Sequence, residues 1–257
     1  MALMKLTDKP TVGSVNLTDL LTLNQGSSAK QVAVQKVVDL SSAAASIAAQ
    51  TALTPSLLDG VFIMYHRKSD NIPILATSVA WPALQTAGEI ADGVLVLQGG
   101  KHLVVAPTET NKYFSSSAVL VGTAVTDRIV AMNDWNGKAL TAALVANATL
   151  AVDGDGFAPG WAHAYSRTNA NGQGLTAGKW WLPAAGENTF MLANFNKINK
   201  CLSVINGATL LQGGAYWSST EGSAAGAWDL NLGNGFLSPY TKVSILYAVR
   251  PVSAFIS

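Results

Sequence analysis

Charge is scarce in this chain. Asp, Glu, Lys and Arg make up 12% of its 257 residues, about half of the ~25% usual in soluble proteins. The 16 basic and 15 acidic side chains leave a formal net charge of +1. A nucleic-acid binder needs a basic face to neutralise phosphates, so that function class is excluded. With 49% hydrophobic residues, a highly charged disordered chain is excluded too. Cysteine is nearly missing. Cys201 stands alone, which rules out an intrachain disulfide and a Cys-based zinc site and fits folding in a reducing cytoplasm.

Long hydrophobic runs are also lacking, although mean hydropathy is +0.27. The most apolar stretches, Gly60–Tyr65, Gly93–Leu97 and Ala118–Val125, fall far short of the ~18–20 residues of a membrane-spanning helix. The Ala-rich run Ser41–Leu53 is interrupted by Ser, Gln and Thr. No membrane insertion is expected. Met1–Pro10 carries Lys5, Asp8 and Lys9 with no apolar segment behind them, so it does not read as a secretory signal. Aromatic residues are absent before Gly60. That first segment cannot build a core of its own size and is expected to lean on a partner. High hydrophobicity with little charge points to burial between subunits, hence a homo-oligomer.

What is present divides the chain in two. Residues 1–57 read as an attachment or oligomerisation segment, with a turn at Asn24-Gln25-Gly26-Ser27, a short strand in Gln31–Val38 and an Ala-rich helix over Asp39–Ala52. Residues 58–257 carry short, Gly-punctuated, aromatic-bearing strands around two helices, so an α+β domain is expected. Gly60–Tyr65 is a strand, and Gly93–Leu97 with His102–Ala106 flank a hairpin turn at Gln98-Gly99-Gly100-Lys101. Asp134–Val145 predicts a helix. Ala185–Ile205 predicts a second, with Met191, Phe195, Ile198 and Leu202 on one face and Pro183 ahead of its start. Trp228, Leu230 and Leu232 alternate with Asp229, Asn231 and Gly233, which predicts one core face and one open face. Asn234-Gly235 supplies the turn that follows.

Catalytic signals are thin. His66, His102 and His163 lie far apart in sequence and read as surface or satisfied core residues. Cys201 falls beside the apolar stripe of the second helix and reads as buried filler rather than a nucleophile. Asp153-Gly154-Asp155-Gly156 has the start of a calcium loop, but Phe157, Ala158 and Pro159 follow where oxygen donors are required. It reads as a turn. Gly172-Gln173-Gly174 lacks a phosphate-binding helix behind it and counts as loop. No enzyme, no metal and no cofactor are expected.

Two stretches are more specific. Gly178-Lys179-Trp180-Trp181-Leu182-Pro183-Ala184-Ala185-Gly186-Glu187 resembles the G-x-W-x-L-P-x-x-G-E start of the second helix in certain proteins of C-type lectin fold. Tyr216-Trp217-Ser218-Ser219-Thr220-Glu221, Ala227-Trp228, Asn234-Gly235, Lys242 and Val249-Arg250-Pro251-Val252 are similar to their C-terminal half, and Asp134-Trp135-Asn136-Gly137-Lys138 to their first helix. Together these blocks resemble the variable proteins of diversity-generating retroelements, of phage type. Leu6-Thr7-Asp8, Asp19-Leu20-Leu21 and Gln25-Gly26 through Lys30-Gln31-Val32 resemble the short segments that open phage fibre and virion-decoration proteins.

The resemblance implies a C-type lectin fold over residues 58–257, with a variable region at about 216–252. In that family adenines of a template are mutated on the way into the coding region. Asn codons changed in this way never yield Lys, Glu, Gln, Met or Trp. Residues 222–248 contain no Glu, Gln or Met, and their only Lys and Trp are Lys242 and Trp228 of the fixed blocks. Carried over by position, the diversified ligand-binding set is Gly222, Ala224, Ala225, Gly226, Asp229, Asn231, Phe236, Ser238, Pro239, Tyr240, Thr241, Val243, Ser244, Ile245, Leu246 and Tyr247. Phe236, Tyr240, Ile245, Leu246 and Tyr247 would form an apolar patch of the kind that marks a binding surface. By pattern alone the same residues read as ordinary sheet core.

The implied function is a phage receptor-binding protein, or adhesin, whose diversified face meets a host cell-surface protein or glycan. Other virion proteins are the second class of partner, the location is the virion, and a homotrimer follows from fibre-like relatives. The chain departs from calcium-dependent sugar binders, which carry Glu-Pro-Asn or Gln-Pro-Asp and Trp-Asn-Asp; here the order is Asn133-Asp134-Trp135. Two other readings stay open: a capsid or tail-fibre protein of the same fold without diversification, and a relative of the formylglycine-generating enzymes. The last needs catalytic cysteines in a motif that Cys201 does not match.

Overall fold

A computed structural model describes residues 59–147, 149 and 156–255. The predicted segment 1–57, with its strand and helix, lies outside the described residues, as do Asp153, Gly154 and Asp155 of the predicted turn. In chain order the strands are β1 (Gly60–His66), β2 (Pro73–Ala76), β3 (Ala91–Gln98), β4 (Lys101–Val105) and β5 (Thr110–Lys112). The short β6 (Arg167–Thr168), β7 (Gly174–Leu175) and β8 (Trp180–Trp181) follow. The last five are β9 (Ala215–Glu221), β10 (Gly226–Asn231), β11 (Leu237–Thr241), β12 (Tyr247–Val249) and β13 (Val252–Ser253). Helices α1 (Trp81–Thr86), α2 (Arg128–Met132), α3 (Gly137–Ala146), α4 (Ala158–Ala164), α5 (Ala185–Ala193) and α6 (Phe195–Leu202) are interspersed. The arrangement is mixed and mostly stranded, an α+β fold. No helix among the described residues is long and apolar enough to cross a membrane.

The first sheet runs β2-β1-β3-β4-β13-β8. Its β3–β4 hairpin closes at Gln98↔Lys101, where Gly99 and Gly100 take φ of +56° and +74°. A two-residue hairpin turn needs that left-handed pair, and glycine adopts it without steric cost. The second sheet runs β11-β10-β9-β12-β5. Strands β9, β10 and β11 are antiparallel neighbours, whereas β12 lies on the far side of β9 and parallel to it. The chain between β11 and β12 therefore has to cross β10 and β9. It crosses on the face of Trp217 and Ala227, because its Ile245 and Tyr247 pack into the core cluster that holds both. Tyr216, Trp228, Leu230, Leu232 and Leu237 point the other way, into the larger core built on the first sheet and helices α5 and α6.

The two predicted helices need correction. The stretch Ala185–Ile205 is broken at Asn194, whose backbone leaves helical geometry at φ −114°, ψ 14°. Its side-chain amide donates to the Phe190 carbonyl at 3.1 Å and to Gln98 Oε1 at 2.9 Å, a local alternative to the helical ladder. Met191, Ile198 and Leu202 nevertheless stay buried on one face. The other helix starts at Gly137 rather than Asp134. Asp134 instead ties loops together: its Oδ2 accepts from the Thr220 hydroxyl at 2.7 Å and its carbonyl from the Gly186 N–H at 3.0 Å. Helix α2 has no counterpart in the sequence reading. Its N-terminus is capped by Asp127, whose Oδ1 accepts from the Ile129 and Val130 N–H groups at 2.8 and 2.9 Å.

Glu187 closes the joint between the sheets and α5. Its Oε2 accepts from the Ala184 N–H at 2.7 Å and from Trp181 Nε1 at 3.0 Å. Burial, partly opposed by those two hydrogen bonds, pushes its carboxyl up to about 8. Gly137 fits beneath it: a Cβ there would overlap Glu187 Oε2 and stand 2.7 Å from Ala184 N and 2.8 Å from Trp181 Cδ1.

Two outcomes follow. Gly137→Ala is expected to cost about 1–3 kcal/mol by overpacking, against under about 0.5 kcal/mol for Lys138→Ala on the exposed neighbour. Urea melts of both check the difference. Because the folded pKa of Glu187 lies above its unfolded value, its protonated form favours folding. That contribution is present below about pH 4.5 and is lost as pH rises to about 8. Glu187→Gln should therefore gain on the wild type across that window and track it above pH 8, read from urea midpoints at half-unit steps.

Candidate functional site

In the C-terminal half most residues that read as fixed in sequence are sealed, whereas Asn234 is exposed and Gly235 half-buried. Tyr216 through Glu221, Ala227, Trp228, Lys242, Val249, Arg250 and Val252 are all buried. Most of their polar groups are paired, although Ser219 Oγ is buried without a hydrogen-bond partner. Lys242, at 0% exposure, donates from Nζ to Glu221 Oε1 at 2.5 Å and to the Val119 carbonyl at 2.7 Å. Glu221 Oε2 in turn accepts from the Val121 and Gly122 N–H groups at 3.0 and 2.9 Å. The Lys242 backbone bonds to the Ala225 carbonyl and accepts from the Phe114 N–H, both at 3.0 Å. Arg250 repeats the device at the other end of the sheet: Nε donates to Glu109 Oε2 at 2.9 Å, and the Ala106 and Thr209 carbonyls take its other N–H groups. The Tyr216 hydroxyl donates to the same Glu109 oxygen at 2.8 Å, and burial is the main reason that its pKa is raised.

The sixteen candidate residues lie mostly where these blocks are not. Ala224, Ala225, Phe236, Pro239, Tyr240, Thr241, Val243, Ser244 and Leu246 are exposed, and Asn231, Ser238, Ile245 and Tyr247 are half-buried. Three depart from the expected open face. Gly222 and Gly226 are buried in the β9–β10 turn, where the Gly222 N–H donates to the Gly226 carbonyl at 2.9 Å and a Cβ on Gly222 would stand 3.0 Å from that of Pro239. Asp229 is only 2% exposed. Alternation does point it away from Trp228, but the β11–β12 connection crosses that face and covers it.

The outward residues form two groups rather than one patch. Tyr240 and Tyr247 meet edge to face at 5.6 Å between ring centroids, and Tyr247 lies 4.9 Å from Trp217. Leu246, Tyr247 and Ala248 border a cleft of about 290 Å³ with Glu109 and Tyr216. Phe236, at the β10–β11 turn, instead lies 5.8 Å from the Arg128 guanidinium of α2. A larger groove of about 580 Å³ runs along α2 and α3 between Val125, Ile129, Val130 and Leu140. The sequence reading missed it. The Asp127 cap was the available signal, but Ile129 and Val130 are too few to set a helical period.

At the centre of the crossing is Asp229. It pairs with Trp217 on β9 and Ser238 on β11. Its Oδ2 is buried without a hydrogen-bond partner, and desolvation pushes its carboxyl up to about 7. The other titratable residues singled out in sequence have ordinary packing reasons. His66 Nδ1 lies 2.6 Å from Asp92 Oδ2 in a buried pair, and burial raises the Asp92 pKa. Cys201 is buried, and desolvation moves its thiol up to about 11. Among the described residues no group of three His, Cys, Asp or Glu side chains is placed to hold a metal ion.

No family model and no curated protein matches this chain. Among solved structures it is similar to a fimbrial protein from Bacteroides ovatus ATCC 8483, at 12% identity and a TM-score of 0.40. That likeness covers 79% of this chain and 45% of the other, so the chain spans less than half of that protein's length.

The buried pair gives the test of the frame. Lys242→Met, which strands the Glu221 carboxylate, is expected to cost about 3–5 kcal/mol, and Lys242→Met combined with Glu221→Gln to recover most of it. Urea unfolding of the single and double variants measures both.

Proposed function

We propose that the chain is a receptor-binding protein of the retroelement-diversified kind, with a C-type lectin fold presenting residues 222–247 to a ligand on a host cell surface. One observation carries the reading. Apart from the Asn234-Gly235 turn, the C-terminal positions expected to be constant are buried and mostly paired, whereas thirteen of the sixteen positions expected to vary are exposed or half-buried. A frame of that kind holds its shape while its outer side chains change. Recognition needs no chemistry beyond shape, aromatic contact and hydrogen bonding, and several copies on one particle would turn weak contacts into avidity. In this reading residues 1–57 supply the attachment to other virion proteins, and the assembly is a homo-oligomer.

Sequencing the flanks of the gene and many clonal copies of its 3′ end tests the proposal. A neighbouring reverse transcriptase, a near-copy template and substitutions confined to template adenines are expected. Identical copies without either element would sink it and leave a fixed virion protein of the same fold. At the protein level, Leu246→Ser should change unfolding free energy by less than about 0.5 kcal/mol, as surface substitutions do, and Tyr240→Ser by about 0.5–1.5 kcal/mol, the worth of its edge-to-face contact with Tyr247. Losses of several kcal/mol in urea melts would show that these side chains serve the core.

A further inference from the structure

A cavity of about 410 Å³ opens between α1, the start of β3, β6 and the chain after α6, and none of the sixteen candidate positions lines it. Its volume falls within the ~300–1,000 Å³ of small-molecule sites. Two side chains of opposite charge line it, Arg167 and Glu89, both half-buried. None of the four ion pairs among the described residues includes either of them. Both are nonetheless held in place. Arg167 Nε donates to the carbonyl of Ala91, another lining residue, at 2.9 Å, and its terminal nitrogens have no hydrogen bond among the described residues. Glu89 Oε2 accepts from the Lys68 N–H at 3.0 Å, which leaves Oε1 without a partner there. Gln85 fixes a third wall, since its Oε1 accepts from Trp81 Nε1 at 3.1 Å and from the Asn206 N–H at 2.8 Å. The Asn206 side-chain amide and the Thr168 hydroxyl complete the lining, again without hydrogen bonds among the described residues.

We propose that this cavity binds a small zwitterion of the α-amino acid class, with its carboxylate on the Arg167 guanidinium and its ammonium on the Glu89 carboxylate. A guanidinium takes a carboxylate through two parallel N–H bonds, the strong form of a charge-assisted contact. Arg167 has its terminal nitrogens to spare for that fork, and Nε on the Ala91 carbonyl already orients the plane. A simple anion would gain the guanidinium but face the Glu89 charge, and a simple cation would meet the reverse. A ligand that carries both charges satisfies both walls at once. The Thr168 hydroxyl and the Asn206 amide then bond its remaining polar atoms. Other charges nearby are occupied or peripheral. Asp92 feels the Arg167 charge but is paired with His66 Nδ1 at 2.6 Å. Lys68 is exposed, and its Nζ lies 3.3 Å from where a Cβ on Gly88 would stand, at the rim. The site is separate from the binding face argued above and does not depend on that reading.

The test titrates the full chain, ¹⁵N-labelled at arginine, with glycine, and with acetate and methylammonium as its two halves. Glycine is expected to move the Arg167 Nε–H signal saturably and to bind at least about tenfold more tightly than either half. Glu89→Gln keeps an acceptor for the Lys68 N–H and removes the charge, so glycine should then bind no better than acetate. Arg167→Lys keeps the charge but loses the fork, and should weaken glycine about tenfold, read from ¹³C-glycine linewidths. If a variant fails to fold, the wild-type comparison of glycine with its halves decides alone. Acetate binding as tightly as glycine would overturn the proposal by leaving an anion site. Glycine shifts that bypass Arg167, an unchanged affinity in Glu89→Gln, or no saturation by ~100 mM glycine would overturn it as well. Identical clonal copies of the gene would remove diversification and leave the glycine result standing.

Discussion

The ion pair between Lys242 and Glu221 is the constraint on which the outer face depends. Both groups are sealed from water, and each spends its remaining bonds on backbone: Nζ on the Val119 carbonyl, Oε2 on the Val121 and Gly122 N–H groups. Four segments meet there: the end of β9, the loop before α2, the β9–β10 turn and the start of the crossing connection. Taking two charges out of water is expensive, and the expense is offset only when all their bonding capacity is used. A site that meets that condition accepts one geometry. The connection therefore leaves β11 at a fixed point and in a fixed direction, whatever its next residues are.

Arg250 with Glu109 does the same where the connection has rejoined the sheet as β12. Between those two anchors, residues 243–246 are held at both ends but carry no framework bonds of their own among the buried pairs. The anchors use buried side chains and backbone amides, whereas the side chains of Val243, Ser244 and Leu246 are exposed. Asp229 sits between these regimes. It is buried like the frame, and its Oδ2 lacks the bonded partners that the Lys242 and Arg250 pairs have.

Much of the scaffold was legible in the sequence. The Gly99-Gly100 turn announces itself because only glycine enters that backbone region freely. Trp228, Leu230 and Leu232 alternate because one side of β10 has to be apolar. The motif from Gly178 to Glu187 located the start of α5. The break at Asn194 was hidden, since Met191, Ile198 and Leu202 keep a helical spacing across it. Helix α2 was hidden for the opposite reason: it is too short to show a period.

The sequence by itself determined local conformation and which side of each element is apolar, because turn residues, caps and hydrophobic spacing act over a few residues. Only the tertiary structure decided what covers each face. The order β11-β10-β9-β12 forces the chain back across its own sheet, and that crossing turns Asp229 from an outward strand residue into a buried one. Burial of this kind depends on contacts between strands distant in sequence, and no local pattern around Asp229 encodes them.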